Sequence, residues 1–278
     1  MDYRIIALDI DGTLTNSQKE IPESTLHALL DIQTKGYKVV LASGRPTPGM
    51  KILAQKLQLG SFGSYILSYN GGRITECSTD RIIYQKMLPK SVVPEIYAFC
   101  LANDVGMLTY DNDSIITGTR IDRYMETESR INGLPIRTVP NFTEYIDFDI
   151  NKCLLTAEPD YLAEIEIRLR EIYKDSLNIY RSEPFFLEIM PQNIDKAHGL
   201  NILLSDIGLA SEQLISCGDG YNDITMIEFA GLGVAMENAQ ERVKSAANYI
   251  TLSNDNDGIL HVIEKFIWKG KPALPASL

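Results

Sequence analysis

Asp9 and Asp11 stand two positions apart at the end of a short apolar run, Ile5-Ile6-Ala7-Leu8. A continuous run of that length predicts a strand buried on both faces, and open α/β sheets hold their ligands at the carboxyl ends of such strands. Two carboxylates there raise each other's pKa unless a hard divalent cation neutralises them. The plainer reading is an acidic turn closed by Gly12. A second acidic cluster, Gly218-Asp219-Gly220-Tyr221-Asn222-Asp223, follows another apolar run, and on its own Asp219 reads as a helix cap. Set side by side, the two clusters make the octahedral oxygen site that Mg²⁺ prefers, with room for waters and a phosphate oxygen. Ser43, followed by Gly44 at the end of a further run, offers a hydroxyl and backbone N–H groups to phosphate oxygens, or else caps a helix. Lys196, in Ile194-Asp195-Lys196-Ala197-His198-Gly199, supplies a cation, or else is solvated surface. Together the four point to phosphoryl chemistry.

The elements that must position these residues alternate in type. Strands are predicted at Tyr3 to Leu8, Tyr37 to Ala42 and Tyr65 to Ser68. Between the first two lies a helix with Leu26, Leu29, Leu30 and Ile32 at helical spacing, begun near Pro22 and ended by Gly36. Alternation of this kind implies parallel βαβ units. Beyond about Tyr84 the rhythm changes: Lys152 to Thr156, a helix from Asp160 to Tyr173, Leu177 to Arg181 and Phe185 to Ile189 suggest adjacent strands mixed with helices. From Asp195 the alternation returns, with a helix through Leu203, a strand at Gln213 to Cys217, a helix from Tyr221, a strand at Leu232 to Ala235 and a last helix ending near Phe266. The expected architecture is a doubly wound α/β core built from residues 1–84 and 191–278, with an α+β insert over residues 85–190 placed after the third core strand. Lys269 to Leu278 reads as a tail.

Composition narrows the function classes. The chain has 278 residues, 45% of them hydrophobic and 23% charged, enough for one large or two modest domains with their own cores. Its 26 Lys+Arg against 37 Asp+Glu give a formal charge of -11, a field that repels polyanions and argues against nucleic acid as a partner. A phosphorylated ligand must therefore be held locally, by a metal ion, backbone N–H groups and a few placed cations. Cys77, Cys100, Cys153 and Cys217 lack any C-x-x-C spacing, which argues against a zinc site or a disulfide framework and suits reduced thiols. No apolar run reaches about 18 residues and no export signal opens the chain, so a cytoplasmic protein with no membrane partner is expected.

The four motifs, in order Asp9-Ile10-Asp11-Gly12-Thr13, Leu41-Ala42-Ser43-Gly44-Arg45, Lys196 with Gly199, and Gly218-Asp219-Gly220-Tyr221-Asn222-Asp223, resemble those of the haloacid dehalogenase superfamily. Within it the chain is similar to the Cof-like phosphatases, whose large α+β cap falls in the gap between Ser43 and Lys196. The resemblance implies that Asp9 is the nucleophile and that Asp11 is the acid and base at the leaving oxygen and at water. A leaving oxygen that needs protonation argues against dehalogenase chemistry. It also implies that Ser43 and Lys196 bind the transferring phosphoryl oxygens. Mg²⁺ would be held by the Asp9 side chain, the Asp11 backbone carbonyl and Asp219, with Asp223 supporting it and Asn222 near the phosphate. Arg45, Asn70, Gly71 and the cap residue Glu188 are similar to, or candidates for, substrate-touching positions; surface charge, a plain turn and strand alternation explain them equally well. A glycine directly follows the lysine in many relatives, whereas Ala197 does so here, and His198 reads as structural. The implied activity is Mg²⁺-dependent hydrolysis of small phosphorylated metabolites, sugar phosphates foremost, through an aspartyl phosphate, by a monomer or small homo-oligomer. A phosphomutase and a non-hydrolysing metabolite-binding module are the alternatives.

Overall fold

The structure is a computed structural model that describes residues 2–268; the tail Lys269 to Leu278 lies outside the described residues. The chain forms two compact units, the first from residues 2–44, 51–84 and 195–268 and the second from residues 45–50 and 85–194.

The first unit is built on an eight-stranded sheet. Its strands are β1 (Ile5–Leu8), β2 (Lys38–Ala42), β3 (Tyr65–Ser68), β4 (Arg73–Glu76), β5 (Ile82–Gln85), β12 (Leu214–Gly218), β13 (Leu232–Ala235) and β14 (Tyr249–Ile250), counted along the whole chain. Their order across the sheet is β14-β13-β12-β1-β2-β3-β4-β5. The six strands from β14 to β3 run parallel, and β4 is antiparallel to β3. Every residue of β1 is buried, as a strand covered on both faces requires. On one face Ile5, Ala7, Val40 and Leu67 pack with Leu200, Leu203 and Leu204 of the helix Lys196–Ile207. That helix starts at Asp195, whose carboxylate accepts the His198 N–H at 2.8 Å.

Leu8 lies beside Cys217 on β12 and Leu41 on β2, so the residues that follow these three strands emerge at one rim of the sheet. The order reverses at β1: successive strands run one way to β5, while the returning chain fills the other side. This is the topological switch point at which doubly wound sheets bind ligands. The insert expected after the third core strand is displaced: the second unit follows β5 rather than β3, because the hairpin β4–β5 widens the core sheet first. Arg73-Ile74-Thr75-Glu76 and Ile82-Ile83-Tyr84-Gln85 are short and half polar, and β5 is partly exposed at the sheet edge, so neither resembles a buried strand. Likewise Tyr221 opens a 3₁₀ turn (Tyr221–Asp223), and the α-helix proper runs Ile224–Phe229.

The second unit carries the six-stranded sheet β10-β11-β9-β6-β7-β8, from β6 (Gly106–Tyr110), β7 (Ile115–Thr117), β8 (Ile136–Thr138), β9 (Cys153–Thr156), β10 (Leu177–Glu183) and β11 (Phe186–Pro191). All its pairings are antiparallel except β7 with β8. The helices Val92–Ala102 and Pro159–Tyr173 supply Ile96, Cys100, Leu162, Ile165 and Leu169 to a core that includes Met107, Leu155, Leu187 and Ile189. The spacing of the second set is the apolar stripe of a surface helix. In the helix Arg123–Asn132, Asp122 caps the N-terminus by accepting from Tyr124 N and Met125 N.

Candidate active site

The nucleophile candidate sits where β1 ends. Asp9 donates its backbone N–H to the Cys217 carbonyl, which extends the β1–β12 ladder by one bond, and its side chain is buried. Lys196, at the first turn of its helix and wholly buried, donates from Nζ to Asp9 Oδ1 at 2.7 Å and to Asp223 Oδ1 at 2.5 Å. Asp223 is buried as well, and its other oxygen accepts the backbone N–H groups of Asp219 and Gly220 at 3.0 and 2.9 Å. Asp219 Oδ1 accepts from the Thr13 hydroxyl at 2.8 Å. Carboxylate oxygens of Asp9, Asp219 and Asp223 all lie within 4.8 Å of one another. Motifs separated by about two hundred residues thus meet at one rim.

The electrostatics follow from this crowding. Burial, then the neighbouring Asp223, pushes the Asp9 carboxyl up to about 8, although Lys196 pulls the other way. Burial also raises Asp219 to about 6, opposed by the Thr13 hydrogen bond and reinforced by Asp223. Burial alone would lower the Lys196 ammonium, but Asp223 and Asp9 outweigh it and hold the group above its usual value.

Three glycine and serine positions shape the rim. Gly12 has φ +85°, and a Cβ there would lie 2.4 Å from Asp219 Oδ2, so the loop can approach Asp219 only without a side chain. Gly71 has φ +95°, and a Cβ would lie 2.3 Å from the Asp195 carbonyl; the residue read as substrate-touching serves close backbone packing. Ser43 is buried, with its N–H on the Leu67 carbonyl and its own carbonyl accepting from Asn70 N. Asn70, at φ +52°, accepts on Oδ1 from Asn222 Nδ2 at 3.0 Å, which joins two of the predicted substrate positions directly.

The chain belongs with known proteins that settle its class. The family model for haloacid dehalogenase-like hydrolases matches residues 6–263. This chain is a haloacid dehalogenase-like hydrolase. A solved haloacid dehalogenase-like hydrolase from Bacteroides thetaiotaomicron is 46% identical, covers 95% of this chain and 99% of its own, and superposes with a TM-score of 0.93. The 5-amino-6-(5-phospho-D-ribitylamino)uracil phosphatase YitU of Bacillus subtilis (strain 168) is 28% identical over 94% of this chain and 97% of its own length. A solved structure described as the subclass IIB sugar phosphatase BT4131 is 26% identical, with a TM-score of 0.78 over 95% of this chain and 98% of its own. The protein is therefore an enzyme of the phosphatase class within this hydrolase family.

The other predicted residues have partners of their own. Asp11 is not among the three clustered acids; its Oδ1 accepts from Lys19 Nζ at 2.9 Å. Arg45 groups with the second unit, where Nη1 donates to the Ile131 carbonyl at 3.1 Å. Glu188 also belongs to that unit and is buried on β11, with Oε2 2.8 Å from Lys152 Nζ and Oε1 accepting from the Ser182 hydroxyl. His198 is edge-on to Tyr84, with ring centroids 5.8 Å apart. Sequence reasoning gave no role to Thr13 or Lys19. Thr13 stood inside a motif and was findable by its spacing, whereas Lys19 lies in the polar turn Asn16 to Glu20 and carried no signal.

Among the described residues, no helix is long and apolar enough to cross a membrane.

Proposed function

We propose that this phosphatase hydrolyses monoesters of small metabolites, sugar phosphates foremost, through a phosphorylated Asp9 and with Mg²⁺ as its metal. The observation that carries the reading is the charge of the centre. Three carboxylates, Asp9, Asp219 and Asp223, face one ammonium, Lys196; three negative charges less one positive leave two, the charge of one divalent cation. Burial first, and the neighbouring Asp223 after it, raises the Asp9 and Asp219 carboxyls, and an all-oxygen donor set suits a hard ion. Asp9, Asp219 and the Asp11 backbone carbonyl would hold the metal, with Asp223 behind them. Bound there, it supplies charge neutralisation between the substrate's phosphate and Asp9.

An Asp9 carboxylate oxygen attacks phosphorus, and its new bond forms as the ester P–O bond breaks. The electron pair leaves with the alcohol oxygen, which takes the proton from the Asp11 carboxyl. Asp11, now a carboxylate, removes a proton from water; the water oxygen attacks phosphorus, and the bond to Asp9 breaks with its electron pair returning to the carboxylate. Ser43 and Lys196 bind the phosphoryl oxygens, and the ammonium also holds the Asp9 carboxylate in place. Asn222 and Asn70 are assigned to the rest of the substrate. The sugar-phosphatase name of BT4131 supports a sugar phosphate, while YitU's name supports another phosphorylated metabolite with a polyhydroxyl chain.

The test is release of inorganic phosphate from a panel of phosphorylated metabolites, with Mg²⁺ and with a chelator. Activity is expected to need the metal and to disappear in Asp9→Asn. Turnover indifferent to chelation would remove the metal assignment, an active Asp9→Asn the covalent step, and conversion of substrate without free phosphate the hydrolysis.

A further inference from the structure

The segment Asn254-Asp255-Asn256-Asp257 has no part in the phosphoryl chemistry, yet three of its four side chains bond to the stretch that follows the nucleophile. Asn254 Nδ2 donates to the Thr15 carbonyl at 2.9 Å. Asp255 accepts the Ser17 N–H at 2.7 Å and the Ser17 hydroxyl at 2.6 Å. Asp257 Oδ1 accepts the hydroxyls of Ser24 and Thr25 at 2.7 and 3.2 Å. Asn238, from the loop after β13, completes the set: its Nδ2 donates to the Gly12 carbonyl at 2.8 Å, and its Oδ1 accepts the Asn254 N–H at 3.0 Å.

What these groups grip is the loop that carries Asp11. That loop closes on itself where Thr15 donates its N–H and its hydroxyl to the Ile10 carbonyl, each at 2.9 Å. The turn Asn16–Glu20 then closes through Asn16, whose Oδ1 accepts the N–H groups of Gln18 and Glu20, and it presents Lys19 to Asp11. Backbone on one side of Asp11 and its ionic partner on the other are thus both tethered from the far end of the chain. The Asp11 side chain is about a third exposed, at 35%, so packing alone does not fix it. A general acid acts only within hydrogen-bond reach of the leaving oxygen, and misplacement by about 1 Å costs rate steeply.

We infer that Asn238 and Asn254 are positioning residues for the proton-transfer steps: by holding the Gly12 and Thr15 carbonyls they set where the Asp11 carboxyl meets the leaving oxygen. This rests on the proposed role of Asp11 as acid and base.

The test compares Asn238→Ala and Asn254→Asp with the intact protein on two esters of similar shape, p-nitrophenyl phosphate and phenyl phosphate. The p-nitrophenolate ion leaves without a proton, whereas phenoxide is a poorer leaving group and gains from one. Because kcat/KM reports only the steps up to leaving-group departure, it isolates the first transfer. For each variant kcat/KM on phenyl phosphate should fall about tenfold or more while that on p-nitrophenyl phosphate stays within about twofold. A burst of p-nitrophenol should also develop, because slower water activation lets phosphorylated Asp9 accumulate. Equal losses on both esters, or no loss on either, would overturn the inference; Asn238 is exposed, so Asn238→Ala reads the effect even if Asn254→Asp folds poorly. Asp11→Asn serves as the reference and should show the same selectivity more strongly. Its absence there would show that the acid–base assignment itself had failed, a result separate from failure of the two asparagines.

Discussion

Lys196 is the residue on which the centre's balance turns. It is fully buried and touches two carboxylates, so its removal leaves Asp9 and Asp223 facing each other without compensation. Breaking a buried ion pair by deleting one partner costs about 3–5 kcal/mol. Lys196→Met should therefore lose about 3 kcal/mol in urea unfolding and about a hundredfold or more in kcat. An activity loss without a stability loss would mean that the ammonium serves phosphate alone. The motif residues were legible because their chemistry is odd: paired acids at strand ends and a lysine at a helix start each needed an explanation. The partners of Glu188 and Arg45 were not legible, since a single charge in a strand or after a glycine has many uses. Those partners, Lys152 and the Ile131 carbonyl, are far away in sequence or carry no side-chain signal.

At the scale of elements, the loop from Ile10 to Thr15 is shaped by Gly12. Gly12→Ala would place a methyl group against the Asp219 carboxylate and force an L residue to φ +85°. The expected result is a stability loss of about 1–3 kcal/mol. A fall in kcat of about a hundredfold should accompany it, because Asp219 and the Asp11 loop are pushed apart. A variant as active as the parent would show that this approach is not needed in the working enzyme. The strands β1, β2, β3 and β13 were readable as continuous apolar runs, and the helix Pro159–Tyr173 by its spacing. The β4–β5 hairpin and the strands β6 to β8 were not. They are short, several alternate apolar with polar residues, and their pairing is decided by distant partners such as Leu154 and Leu155 beside Leu108 and Met107.

For the molecule as a whole, the acidic centre couples stability to pH and metal. Asp9 moves from 3.8 to about 8 and Asp219 from 3.8 to about 6, so in the metal-stripped protein the folded state holds these protons more tightly than the unfolded chain. That contribution is complete below the unfolded value and is lost as pH rises through about 6 and then about 8. In chelator, the Tm of the parent should fall relative to an Asp9→Asn/Asp219→Asn variant across this window, and Mg²⁺ should restore the parent most at the alkaline end. A difference that does not change with pH would contradict burial and mutual repulsion as the origin of the raised carboxyls. The switch point at β1 has a consequence for biosynthesis. One flank of β1 is filled by β2, some thirty residues on, but the other waits for Leu214–Gly218. On the ribosome, the nascent chain must therefore carry a bare hydrogen-bonding edge beside Asp9, shielded from stray pairing until Leu214–Gly218 emerges.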